Sequence, residues 1–141
     1  MSNDISASLK TLRSAASHLN KLTDQANDSV QLVEAFLSQQ CRIGTHASVK
    51  VSEDVLVDQY LEYRRIGSRY RIAVVDYYEA TGEEKETPWS DCSREVKLET
   101  IKKLPDLLAE LLNNLNKETV EAEKATEIVN DVMKLMTGKE G

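Results

Sequence analysis

The stretch VLVDQYLEYRRIGSRYRIAVVDYY, residues 55–78, decides the fold of this chain. It is rich in Val, Ile and Tyr, which strands favour, on both sides of Gly67-Ser68. Glycine followed by a small polar residue suits a two-residue hairpin turn, because glycine accepts the positive φ that such a turn requires. The stretch therefore predicts two antiparallel strands joined at Gly67-Ser68.

The position of the turn also predicts the register of the two strands. If Ile66 faces Arg69, pairing runs outward from the turn, and alternation assigns each side chain to one face of the hairpin. The face expected to lie against helices holds Leu61, Tyr63, Tyr70, Ile72 and Val74. The opposite face holds Tyr60, Glu62, Arg64, Ile66, Arg69, Arg71, Ala73 and Val75.

The segments on either side of the hairpin differ in character. Ala47–Val51 alternates small apolar residues with Ser48 and Lys50, which predicts a third strand. The acidic segment 79–88 (EATGEEKETP) contains Gly and Pro and predicts an exposed connection. We expect an antiparallel sheet of three strands within residues 46–80.

Long helical patterns flank the sheet on both sides. Residues spaced by three and four positions predict an N-terminal helix over 4–40; they are Leu9, Leu12, Ala16, Leu19, Thr23, Ala26, Val30, Val33 and Leu37. The same spacing predicts helices over 91–136; it is carried by Ile101, Leu104, Leu108, Leu111, Leu115, Glu118, Ala122, Ala125, Val129, Val132 and Met136. Ser90 is the expected N-cap. Pro105 lacks an N–H and crowds the preceding turn, so a kink or break is expected there.

These elements predict an α+β fold in the order α-β-β-β-α-α, with long N- and C-terminal helices packed against a small antiparallel sheet. A chain of 141 residues is expected to form a single domain over 1–141. Each apolar seam is longer than a small sheet can cover. We therefore expect the helices to form a coiled-coil-like pair or bundle, and the chain to form a homodimer or higher homo-oligomer.

Charge is unevenly distributed. The chain carries a net charge of −6, but residues 60–72 hold four arginines and one glutamate, which is +4 − 1 = +3. Arginine forks and tyrosine rings can bind phosphates or acidic groups, so Arg64, Arg69, Arg71 and Tyr60 are candidate polyanion- or partner-binding residues. The competing interpretation is an ordinary solvated face, on which a nearby acid relieves the repulsion between Arg64 and Arg71.

Signatures of catalysis are missing. No catalytic residues, metal site or cofactor are predicted, because the possible ligands His18, Cys41, His46 and Cys92 lack metal-site spacing. Cys92 lies near a predicted helix start, which could lower the pKa of its thiol, but both histidines are distant in sequence. An enzyme or small-ligand protein with a pocket between sheet and helices stays open as an alternative.

The sequence best fits a non-enzymatic interaction or scaffold module that oligomerises through its heptad-patterned helices, with another protein as a further candidate partner. Nucleic-acid or polyanion binding through the basic hairpin face is the alternative. No apolar run approaches the ~18–20 residues that a membrane span needs, so no membrane association is expected. Two cysteines and no signal-peptide pattern predict a cytoplasmic protein.

Overall fold

The computed structural model describes residues 2–138; residue 1 and residues 139–141, which the single-domain prediction includes, lie outside it. The helices are α1 (Ser2–Ala35), α2 (Arg94–Thr100) and α3 (Leu104–Thr137). The strands are β1 (Ala47–Glu53), β2 (Val57–Ile66), β3 (Arg69–Tyr78) and β4 (Glu83–Pro88). A π-helical turn (Phe36–Gln40) follows α1, and 3₁₀ turns (Trp89–Asp91 and Ile101–Lys103) lie on either side of α2. The α+β prediction is confirmed.

The sheet is antiparallel, with strand order β1-β2-β3-β4. The predicted hairpin register is confirmed: Ile66 pairs with Arg69, Tyr63 with Ile72 and Leu61 with Val74. Gly67 has φ 65°, in the region that the turn requires. The apolar face predicted from this register is therefore the face that packs against the helices.

One prediction about the sheet is wrong. The segment 79–88, expected to be an exposed connection, contains β4, which pairs with Ala73–Tyr78 of β3. The order of elements is therefore α-β-β-β-β-α-α rather than α-β-β-β-α-α. β4 is an edge strand, where charged side chains are tolerated, and Pro88 ends it, where its missing N–H costs least.

The core lies between one face of the sheet and the helices. Leu61, Tyr63 and Ile72 are completely buried there, under residues from the second half of α1 and the first half of α3. Trp89, at the end of β4, is also buried, and its indole Nε1 donates a hydrogen bond to Thr100 Oγ1 at 3.1 Å. This bond fixes α2 beside the core.

The C-terminal helices differ from the prediction in two details. Leu107 is buried in the core, whereas Leu108, placed in the predicted seam, is exposed. Steps of three and four both continue a helical face, so adjacent leucines leave the choice to packing. The N-cap of α2 is Ser93, which accepts a hydrogen bond from the Val96 N–H, and not Ser90.

The break near Pro105 separates α2 from α3. The chain leaves α2 at Thr100, passes through a 3₁₀ turn, and begins α3 at Leu104 with Pro105 in its first turn. Proline is tolerated in a first turn because its missing N–H would have no helical partner there. From Pro105 the helix continues to Thr137.

Both long helices extend beyond the sheet. We define the N-terminal arm as residues 4–22 of α1 and the C-terminal arm as residues 116–137 of α3; all of these residues are exposed. Near the bases of the arms, Arg94 donates to Asn20 and Thr45 donates to Glu118, each at 2.6 Å. The predicted coiled-coil-like pairing is not confirmed, because a paired seam would be buried. Within residues 2–138, no helix is long and apolar enough to cross a membrane.

Candidate functional site

The candidate arginines lie on the hairpin face opposite the core, where the register predicted them. Arg64 and Arg71 face each other across β2 and β3, and Ile66 pairs with Arg69 at the turn. Like charges in directly opposed positions destabilise a sheet unless other groups compensate. The surroundings of each arginine therefore decide whether it is available to a ligand.

Arg64 is already surrounded by carboxylates. Its Nη1 donates to Glu62 Oε1 at 3.1 Å and lies 3.7 Å from Glu84 Oε2. Its Nε lies 2.9 Å from Glu86 Oε2, close enough for an ion pair but without hydrogen-bond geometry. Glu84 and Glu86 belong to β4, the strand that the sequence did not predict. The acids around Arg64 are those that the interpretation as a solvated face called for, with two of them supplied by a strand that the sequence did not predict.

Glu62 is the centre of a polar network on this face. Its carboxylate is nearly buried and accepts hydrogen bonds from Ser48 Oγ at 2.8 Å and from Arg64. His46 Nε2 lies 2.9 Å from Glu62 Oε1. Ser48 reaches Glu62 because the two residues pair across β1 and β2. The carboxylates of Glu62, Glu84 and Glu86 already lie within ion-pair distance of Arg64 and leave it little freedom to bind a foreign anion.

Arg71 is held by a helix. Its Nε donates to Glu34 Oε1 of α1 at 3.1 Å, and its Nη2 donates to Ser90 Oγ at 3.3 Å. The second oxygen of Glu34 accepts from the backbone N–H of Ile72 at 3.1 Å. β4 ends at Pro88, opposite Ala73, so no strand reaches that N–H. The Glu34 carboxylate therefore has two roles: one oxygen pairs with the Arg71 guanidinium, and the other accepts the Ile72 N–H that no strand reaches.

Arg69 differs from the other two. It is exposed, and no carboxylate of the described residues lies within 4 Å of its guanidinium. It lines a groove of about 250 Å³ between the end of α1 and the hairpin turn. The groove also contains Arg42, a residue that the sequence did not single out, and it adjoins a second groove beside Glu34 and Arg71.

Tyr60, the fourth candidate, lies on the same face toward β1. Lys50 Nζ lies 5.7 Å from the centre of its ring, within the range of a cation–π contact. The Lys50 ammonium also contacts Glu53 Oε1 at 2.7 Å, and this contact raises the pKa of Lys50 and lowers that of Glu53. Tyr60 is thus engaged by a neighbour in its own sheet and is not beside Arg69.

Cys92 does not have the lowered pKa of a nucleophilic thiol. Burial raises the pKa of the Cys92 thiol, whereas a helix start could have lowered it, and Cys92 Sγ lies 3.5 Å from the Pro88 carbonyl oxygen. Cys41 is exposed and, like Cys92, free. Among the described side chains, no group of three or more His, Cys, Asp or Glu residues is arranged to hold a metal ion.

Comparison of the chain with protein-family models, with curated proteins and with solved structures found no match.

Proposed function

We propose that this protein is a non-enzymatic scaffold module that associates with further copies of itself through its two helical arms. The observation that carries the proposal is the exposure of apolar residues along both arms. In the N-terminal arm, Ile5, Leu9 and Leu12 are 61%, 60% and 64% exposed. In the C-terminal arm, Val129, Val132 and Met136 are 55%, 49% and 80% exposed.

The spacing of these residues suits a helical partner. Ile5, Leu9, Leu12, Ala16 and Leu19 step by four and three, which places them on one side of α1. A single helix of this length is only marginally stable in water without packing, and burying a leucine side chain contributes roughly 1.5–3 kcal/mol. Three or four buried residues on each arm therefore supply several kcal/mol for association.

The charges of the two arms favour pairing of the N-terminal arm of one copy with the C-terminal arm of another. Residues 4–22 contain three Lys or Arg and one Asp, which is +3 − 1 = +2. Residues 116–137 contain three Lys and five Asp or Glu, which is +3 − 5 = −2. Pairing like arms brings equal charges together, whereas pairing unlike arms balances them.

In this scaffold, the sheet is the part that remains outside the helical assembly, and its polar face is the proposed binding surface for a further protein partner. The chain's two cysteines are free, as expected for the cytoplasmic location that we propose for the scaffold. The alternative function, nucleic-acid or polyanion binding across the whole hairpin face, has less support. Arg64 and Arg71 already hold carboxylates, which leaves Arg69 as the free arginine among the three candidates.

Sedimentation velocity over a range of protein concentrations tests the proposal. We expect the natural chain to form dimers or larger species whose fraction rises with concentration. The double variant Leu9→Asp/Leu12→Asp puts two charges into the seam, and we expect it to remain monomeric. The packed core of this variant should unfold at the same urea concentration as the core of the natural chain, because Leu9 and Leu12 are exposed and are not among the core residues.

A matched control adds the same two charges away from the seam. Ala7 and Ser14 lie on the side of α1 opposite Leu9 and Leu12, and both are exposed. The variant Ala7→Asp/Ser14→Asp should therefore associate like the natural chain. A natural chain that stays monomeric at every concentration would refute the proposal, and so would equal dissociation of the two variants.

A further inference from the structure

The groove between the end of α1 and the hairpin turn contains two arginines without acidic partners. We propose that this groove is a binding site for a single phosphate group, which Arg42 and Arg69 hold from two sides. The proposal goes beyond self-association, since neither arginine lies in an arm. It shares Arg69 with the predicted polyanion surface, but it adds Arg42, leaves out Arg64 and Tyr60, and takes a single phosphate group rather than a polyanion.

The first support is electrostatic. Arg42 and Arg69 line the same groove, and neither has a carboxylate within 4 Å among residues 2–138. The adjoining groove adds Arg71 and Glu34, which neutralise each other. The charged residues of the two grooves therefore sum to +3 − 1 = +2 in a protein whose net charge is −6. Two guanidinium groups that line one groove repel each other, and a phosphate bound in the groove offsets that repulsion.

The second support is the backbone of Arg42. Its φ is 54°, in the left-handed region. Within residues 2–138, Arg42 is the only non-glycine residue that has a positive φ. It follows the π-helical turn, where Cys41 N–H donates to the Phe36 carbonyl at 2.8 Å and Ile43 N–H donates to the Leu37 carbonyl at 2.9 Å. Glycine or asparagine usually occupies this position after a helix. Strained residues held by their surroundings are concentrated at functional sites, and here the strain places a long cationic side chain in the groove.

The third support is the size and lining of the groove. A volume of about 250 Å³ is at or below the small end of ligand pockets, and the groove is open to solvent. Gln39 and Ser68 line it beside the arginines and can add amide and hydroxyl donors. Guanidinium groups bind phosphate oxygens through paired N–H donors, a geometry that one phosphate group can accept from both sides.

A nucleic acid fits these observations less well. Duplex DNA carries one negative charge per roughly 1.7 Å of its axis, so binding it requires an extended basic surface. Beyond the groove, the same face of the sheet presents Glu62, Glu84 and Glu86 around Arg64. A long polyanion would meet these acids, whereas a single phosphate group would not.

Isothermal titration calorimetry at low ionic strength tests the site with inorganic phosphate, with O-phosphoserine and with acetate. We expect the two phosphate probes to bind, and acetate to bind at least ten-fold more weakly. Tighter binding of inorganic phosphate identifies the free ion as the source of the phosphate group. Tighter binding of O-phosphoserine identifies a phosphate ester.

Variants locate the binding. Arg42→Gln and Arg69→Gln should each weaken phosphate binding at least ten-fold. Arg65→Gln is the matched control, because Arg65 is an exposed arginine of the same hairpin that donates to the Gly67 carbonyl and does not line the groove. Arg42→Gly should abolish binding while raising the melting temperature, since glycine relieves the strain at φ 54°. Loss of binding in a more stable protein cannot result from unfolding.

Three results would overturn the proposal. They are the absence of phosphate binding by the natural chain, equal weakening in Arg65→Gln, and acetate binding as tight as that of phosphate.

Discussion

Glu34 joins α1 to the sheet through two hydrogen bonds. Its carboxylate binds the Arg71 guanidinium and the Ile72 backbone N–H, in a position where only about a tenth of its side chain is exposed. Removing one partner of a buried ion pair leaves the other charge without compensation, which costs about 3–5 kcal/mol when the pair is fully buried. Arg71 keeps some access to water, so the cost here is smaller.

We predict that Glu34→Ala lowers the free energy of unfolding by about 2–4 kcal/mol, measured by urea denaturation. Glu99→Ala is the control: Glu99 forms an ion pair with Lys102 in which both side chains are more than half exposed. Exposed pairs contribute little, and we expect a change within about 0.5 kcal/mol. Equal effects of the two substitutions would contradict the role given to Glu34.

Tyr63 makes the stability of the fold sensitive to alkaline pH. Its hydroxyl donates to the Ile43 carbonyl at 2.7 Å, and burial raises the pKa of Tyr63 to about 12. An unfolded tyrosine loses its proton near pH ~10, whereas the folded one keeps it. Between these two values the unfolded state binds fewer protons than the folded state, so stability falls as the pH rises.

We predict that the free energy of unfolding of the natural chain declines between pH 10 and about 12, as measured by urea titrations at several pH values. Tyr63→Phe should be less stable at neutral pH by about 1 kcal/mol, because the hydrogen bond is lost. It should also decline less steeply across the alkaline range. An unchanged slope in Tyr63→Phe would assign the decline to other groups.

At the scale of elements, the hairpin was the part most accessible to prediction. The turn at Gly67 and strict alternation fix the register, because a shift by one residue would turn Leu61 and Ile72 toward solvent. β4 was missed because an edge strand of six mostly charged residues has no apolar alternation to reveal it. Glu62 was the acid expected near Arg64, but Glu86 and Glu34 were missed for a related reason: they come from elements distant in sequence that only packing brings together.

The arms show a different limit of sequence analysis. The heptad pattern of α1 is interrupted by polar Thr23, but its spacing continues, and Thr23 marks the change from exposed to packed residues in α1. Its hydroxyl donates to the Leu19 carbonyl, which allows a polar residue to enter the core. Periodicity predicts which side of a helix is apolar, but it does not predict what covers that side. In the candidate site, the same limit kept Arg42 unrecognised, because nothing in the local sequence marks a left-handed arginine.

We predict that hydrogen exchange divides each long helix into two parts. In dilute solution, amides of residues 5–20 and 120–136 should exchange much faster than those of residues 24–36, because a helix without tertiary packing opens readily. At high protein concentration, the arm amides should become protected. Slow exchange in the arms at every concentration would show that they are stable without a partner.

At the scale of the whole molecule, we propose that the opposite charges of the arms determine which arms pair in the assembly. Arg13 follows Leu12 in the N-terminal arm, and Glu121 precedes Ala122 in the C-terminal arm, so both flank a seam. We predict that Arg13→Glu and Glu121→Lys each weaken association about two- to five-fold, and that the double variant recovers most of the loss. Sedimentation equilibrium measures the constants. Additive weakening in the double variant would show that unlike arms do not pair.

Neither long helix contains a glycine or a proline between the core and the tip of its arm. Each arm, while it is helical, is therefore a continuous extension of a helix that packs against the sheet. At ~1.5 Å per residue, twenty residues reach about 30 Å, so a tilt of about 10° at the sheet displaces the tip by about 5 Å. A change at the contact between Glu34 and Arg71 that tilted α1 would therefore move the tip of the N-terminal arm by several times the displacement at the sheet.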